Sequence, residues 1–419
     1  MRKTAQLLTL ILATAAASTT TVAQKVAAPP AQPVHLERLS PLTTPVALAE
    51  PLTTTPRVEI VFVLDTTGSM GGLIQGAKDT IWSIVNQVST ARPEPEIRLG
   101  LVGFRDRGDS YVTTITALTD DLDAVYKALT AFEAGGGGDT PESVNLALFE
   151  AVTKMEWSND PKTYRTIFLV GDAPPKSYPD EKQHPEICKM AIEKDVVINT
   201  VQCGDMTETR PPWQTIARAA EGRYFHVPQS GGVAVLETPF DADLARLGLE
   251  LDGTTVYFGE VKMQEEMRLR KSDAAAVSRV ASASASAERS VFQTSASGMS
   301  NFLGQNELVA AVEGGQVELG ALPAEQLPPE MQALDEAGRR AYVEEKSAAR
   351  KKAKDEITKL SEQRQKFIAE ERARQAGTDT ASSFDRAVGD ALREQGAKKG
   401  LMFETIIGNG SPAPSTTKN

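Results

Sequence analysis

An α/β fold is predicted, a doubly wound and mostly parallel sheet followed by an α-helical C-terminal extension. Two observations predict it: apolar runs of strand length alternate with helical patterns from Arg57 onward, and three loops, two of them directly after such runs and one before the helix at 142, are rich in carboxylates, hydroxyls and glycines. Residues 58–64 (VEIVFVL) form the first strand, and residues 72–88 follow helical spacing through Leu73, Ala77, Ile81, Ile84 and Val88. Residues 97–104 (IRLGLVGF) are a second strand. Residues 111–115 alternate with polar side chains, as an antiparallel edge strand does. Helices are predicted over 121–132 and 142–155, the latter opened by Thr140-Pro141-Glu142, where proline suits a first helical position. Strands at 165–170, 196–201 and 223–227, with helices near 185–194 and 213–220, complete the pattern.

The chain has 419 residues and divides by composition. Residues 1–23 carry a basic start (Arg2, Lys3), an apolar stretch over 7–17 and a small-residue exit at Thr21-Val22-Ala23. That is the pattern of a secretory signal, too short for a stable membrane span, and it places the mature protein in the periplasm or outside the cell. Residues 24–56, rich in Pro and Thr, read as a linker, and 57–253 as the α/β domain. Residues 254–328 read as irregular and low in complexity with short helices, 329–376 as a charged long helix or coiled coil, and 377–419 as a short helix with a disordered tail.

Forty-five Lys and Arg against 56 Asp and Glu give a formal charge of −11, which supplies no basic face for nucleic acid. Two cysteines and three widely spaced histidines show no zinc-ligand spacing, so any metal is expected on oxygen. An export signal makes a disulfide between Cys188 and Cys203 chemically accessible; the alternative is two buried thiols.

In doubly wound sheets ligands collect beyond the carboxyl ends of the strands, and the polar clusters fall there. The first strand ends in Asp65-Thr66-Thr67-Gly68-Ser69, a later loop reads Gly135-Gly136-Gly137-Gly138-Asp139-Thr140, and the fourth strand ends in Gly171-Asp172. Asp65, Thr67, Ser69, Thr140 and Asp172 offer two carboxylates and three hydroxyls, the hard donors that Mg2+, Mn2+ or Ca2+ prefer. Two facing carboxylates repel by about 4 kcal/mol at ~4 Å and an effective dielectric near 20, and a cation turns that penalty into attraction. Neutral hydroxyls leave the ion under-neutralised, so it welcomes an acidic side chain from a partner.

These residues resemble the von Willebrand factor type A family and its metal-ion-dependent adhesion site, whose pattern is Asp-x-Ser-x-Ser, then Thr, then Asp. Here the order is Asp65-x-Thr67-x-Ser69, Thr140 and Asp172, with Thr67 in place of the usual Ser but keeping its hydroxyl. The resemblance covers roughly residues 56–253. It implies a Rossmann-like fold that binds Mg2+ or Mn2+ and recognises proteins through the ion without catalysis, with Asp65 and Asp172 acting through bound water. Residues 301–402 are more weakly similar to tails of exported bacterial proteins that carry this domain.

Other motifs fall away. Gly71 and Gly76 have phosphate-loop spacing, but Ala77 precedes Lys78 and the Gly-Lys-Ser/Thr ending is missing. Thr67 stands where an aspartate-nucleophile phosphatase keeps its second Asp. Arg107-Gly108-Asp109 reads as a charged turn, with Arg105 and Asp106 bracing the neighbouring loops, and Trp213 as a core residue. The expected function is therefore an exported protein that captures an acidic protein ligand through a divalent cation. A metal-dependent hydrolase in the same crevice, or a scaffold recognising partners through its C-terminal helices, are the alternatives.

Overall fold

The computed structural model describes residues 55–403 apart from 233, 234, 305 and 376–382. The signal and nearly all of the linker expected at the N-terminus, and the tail expected after 403, lie outside these residues. No helix among the described residues is long and apolar enough to cross a membrane.

Six strands form one sheet. β1 (Arg57–Asp65) lies inside it, and α1 (Gly71–Ser89) leads through the two-residue β2 (Ala91–Arg92) to β3 (Glu96–Phe104), which pairs parallel to β1. β4 (Thr113–Thr119) runs antiparallel on the edge, as its alternation predicts, though it starts two residues later than the sequence suggests. After α2 (Leu122–Thr130) and α3 (Val144–Thr153) the chain crosses to the other side of β1 and adds β5 (Tyr164–Gly171), α4 (His184–Glu193), β6 (Val196–Cys203), α5 (Arg210–Ala219) and β7 (Tyr224–Val227). The order is β4-β3-β1-β5-β6-β7. Strand progression thus reverses at β1, and the crevice beyond its carboxyl end is where such sheets bind ligands.

Alternation along β1 builds two cores. Val58, Ile60, Phe62 and Leu64 face a cluster with α1 and α2, while Val61 and Val63 face one with α3, α4 and α5. The two cysteines fall on opposite sides of this division: Cys203 belongs to the first cluster and Cys188 to the second. Both are free and buried, so the disulfide is not formed; the sheet itself separates the thiols. Burial pushes the Cys188 thiol up to about 11 and that of Cys203 well above its usual range.

The helix expected to open at Glu142 begins at Val144 instead. Glu142 is engaged elsewhere: its N–H donates to the Pro174 carbonyl (3.0 Å) and its carbonyl accepts from the Lys176 N–H (2.7 Å). These bonds tie it to the loop after β5.

Beyond the sheet come α6 (Asp241–Asp252), α7 (Val261–Val280), α8 (Ala283–Phe292), α9 (Ala296–Leu303), α10 (Leu308–Glu313), α11 (Pro329–Gln332), α12 (Glu336–Gln375), α13 (Phe384–Ala397) and β8 (Met402–Phe403), which pairs with β2. Residues 254–328, read as irregular with short helices, carry α7 to α10, and the Ser282 and Ser295 side chains cap α8 and α9. The boundary at Gly253 separates sequence patterns but not cores. Ala285 and Phe292 of α8 and Phe384, Val388 and Leu392 of α13 join the same cluster as β1 and α1. Gln395 reaches into the sheet, accepting from Tyr164 (2.6 Å) and donating to Asn199 (2.7 Å).

Candidate metal site

Asp65 ends β1 with its side chain 1% exposed. The chain turns at once, so that the Thr67 N–H (2.8 Å) and its hydroxyl (2.6 Å) both donate to Asp65 Oδ1. Ser69 Oγ lies 3.4 Å from Thr67 Oγ1, in the single 3-10 turn before α1. Asp65 Oδ2 is enclosed and has no donor. Burial pushes this carboxyl up to about 7, against the opposing effect of the Thr67 bonds and with the charge of Asp172 adding to the rise.

Asp172 follows β5, the strand beside β1. Close approach here depends on Gly171, where a Cβ would stand 2.8 Å from that of Asp65. The Asp172 loop is held from beneath: the Thr209 hydroxyl donates to the Asp172 carbonyl (2.6 Å) and Trp213 Nε1 to that of Ala173 (3.0 Å). Trp213 is buried, as expected of a core residue. Gln229, after β7, donates to Asp172 Oδ2 (2.7 Å) and to the Ser69 carbonyl (3.3 Å), a contact that nothing in the sequence announces.

The structure brings Asp65, Thr67, Ser69 and Asp172 together. Thr140 it leaves on the rim, exposed, with no hydrogen bond to those four among the described residues. The same loop delivers Glu142 instead, 3% exposed, with Oε2 lacking a donor. Burial, followed by the charges of Asp65, Asp106, Asp109 and Asp139, pushes its carboxyl up to about 8. In the sequence Glu142 reads as part of a helix start; the bonds to Pro174 and Lys176 that carry it inward are tertiary.

Around this pair the loops are braced. Arg105 donates to the carbonyls of Thr66 (3.1 Å) and Glu133 (2.8 Å). Asp106 accepts from the Ser143 hydroxyl (2.7 Å), Lys176 and Tyr178. Burial alone would raise its carboxyl, yet these donors hold it below the usual range. The Arg107-Gly108-Asp109 turn is spent internally. Arg107 pairs with Asp180 and Glu181 and lies 3.9 Å over the Tyr178 ring, while Asp109 accepts from the Gly137 N–H (3.1 Å).

Among the described residues no three His, Cys, Asp or Glu side chains are gathered into a metal cage. The donors are mixed: carboxylates and hydroxyls, with the buried oxygen Asp65 Oδ2 lacking a donor, which fits a hard cation that keeps part of its water.

Residues 59–239 match a family model described as the von Willebrand factor A domain. This segment has the von Willebrand factor A fold. The rat von Willebrand factor A domain-containing protein 7 is 40% identical over 122 residues, 29% of this chain. The chain spans only 12% of that relative's length. Among solved structures, the SpRpn10 VWA domain is matched over 100% of its length by 44% of this chain, at 16% identity and a TM-score of 0.33. Proximal thread matrix protein 1 from the mussel byssus, solved with a zinc-occupied MIDAS motif, matches 41% of this chain at 18% identity, covers 42% of its own, and has a TM-score of 0.32.

Proposed function

We propose that the crevice of this von Willebrand factor A domain seats a divalent cation, Mg2+ or Mn2+, with Asp65, Thr67, Ser69 and Asp172 around it and Thr140 on the rim. The ion supplies a positive charge that draws an acidic side chain of a protein partner; the chain's residues only bind and orient, without catalysis. The observation that carries this reading is the buried, donorless Asp65 Oδ2 facing the charge of Asp172 at the sheet's switch point. A carboxylate in that setting is costly unless a cation or proton compensates it. Its partner oxygen is occupied by two donors from Thr67, so Oδ2 is the oxygen still to be satisfied.

The protein is proposed to act outside the cytoplasm, on the strength of the basic, apolar and small-residue succession over residues 1–23. Calorimetric titration of the full chain with MgCl2 and MnCl2 tests the site. One ion per chain is expected, with binding at least 100-fold weaker in Asp65→Ala; equal binding by the variant would refute the assignment.

A further inference from the structure

We propose that Glu142, rather than Thr140, is the second-loop residue that holds the crevice cation, its carboxylate accepting hydrogen bonds from water on the ion. The inference rests on the cation reading above and changes which residues serve it. Three observations carry it.

The first is anchorage. Glu142 is fixed through both its N–H and its carbonyl to Pro174 and Lys176, in the loop that begins with Asp172. Thr140, two residues earlier, is exposed and bonded to none of the site residues among those described. A donor that must stay in place as an ion arrives is better served by the pinned residue than by the rim residue.

The second is proximity. Gly137 has φ +77°, and a Cβ built on it would stand 3.0 Å from Thr67 Cβ and 3.3 Å from Glu142 Oε1. One bare glycine therefore separates the Glu142 carboxylate from the threonine that bonds Asp65. Any side chain at Gly137 would fill the space between them.

The third is the contrast with neighbouring acids. Asp106 is served by Ser143, Lys176 and Tyr178, Asp139 by Lys176, and Asp109 by the N–H groups of Gly137 and Asp106. Glu142 is more buried than Asp109 or Asp139, yet its Oε2 has no donor. Among these five acids the enclosed oxygens left without donors are thus Asp65 Oδ2 and Glu142 Oε2. Since among the described residues no three carboxylates are close enough to form a cage, a water on the ion is the donor that reaches Glu142.

Manganese titration of the full chain, followed by the electron paramagnetic signal of free Mn2+, tests this on Glu142→Gln and Thr140→Ala, with ion-free thermal denaturation in parallel. Expected are a loss of affinity of about 10-fold or more for Glu142→Gln, a change under about twofold for Thr140→Ala, and an ion-free Glu142→Gln protein at least as stable as wild type. Unchanged binding by Glu142→Gln, or an equal loss in Thr140→Ala, would overturn the assignment while leaving the cation site standing. Loss of binding together with loss of ion-free stability would overturn it as well, making Glu142 a structural residue. Wild-type protein that retains no manganese would sink the underlying reading and this one with it.

Discussion

Both ends of β1 bury a carboxylate, and the two are treated in opposite ways. At the start of the strand Glu59, fully buried, accepts from Arg98 (2.8 Å) and from the Ser158 N–H (2.9 Å), one donor for each oxygen. At the far end Asp65 has both its donors on one oxygen and none on the other. The same strand thus closes its amino end for stability and leaves its carboxyl end unsatisfied. That asymmetry follows from the topology: the carboxyl end opens on the crevice where β1 is flanked by β3 and β5, the point at which ligands reach such a sheet.

The contrast is broken most severely from the closed end. Arg98→Met strips one oxygen of a buried carboxylate of its partner and is expected to cost about 3 kcal/mol in chemical denaturation, without altering ion affinity. At the open end the sign reverses. Asp65→Asn removes a charge that nothing in the ion-free protein compensates, so it is expected to raise ion-free stability by about 1 kcal/mol while abolishing ion binding. A variant less stable than wild type by that same assay would place Asp65 among the structural carboxylates.

The smallest effect is one of pH. Asp65 and Glu142 have folded-state values raised to about 7 and about 8, above those of the unfolded chain. The folded protein therefore holds these protons longer, and their contribution to stability is complete below about pH 4 and lost as pH rises through 7 and 8. A cation in the proposed site would replace the lost protons. Melting curves should show 10 mM MgCl2 raising the melting temperature more at pH 8.5 than at pH 5.5; an equal rise would mean that the ion acts elsewhere.

Much of this was legible in the sequence, for physical reasons. Apolar strands buried on both faces announce themselves as continuous runs, so β1, β3, β5 and β6 were readable, and the polar residues at their ends followed by order alone. Glu142 was hidden, because its role depends on β-bridge contacts with Pro175 across 33 residues and its local context resembles a helix start. The long helix α12 was legible as a helix over 329–376, but its buried arginines were not legible as buried. Four of its buried positions, Val343, Arg350, Ile357 and Arg364, recur every seven residues, but two are arginines, a residue type usually found in solvent. They are buried because Arg350 pairs with Glu307 (2.7 Å) and Arg364 with Asp241 (2.6 Å), partners far away in the chain. The cysteines failed for a third reason: position along helix and strand gives nearness to an edge, but not which face of the sheet each thiol occupies.

The claim that matters most is that the open end of β1 exists to hold a cation. Equilibrium dialysis of the full chain against MnCl2, with metal counted per chain by atomic absorption, compares the two ends directly through Asp65→Ala and Glu59→Gln. The account predicts one retained ion in wild type and in Glu59→Gln, and none in Asp65→Ala. Equal retention by all three proteins, or loss in Glu59→Gln but not in Asp65→Ala, would contradict it.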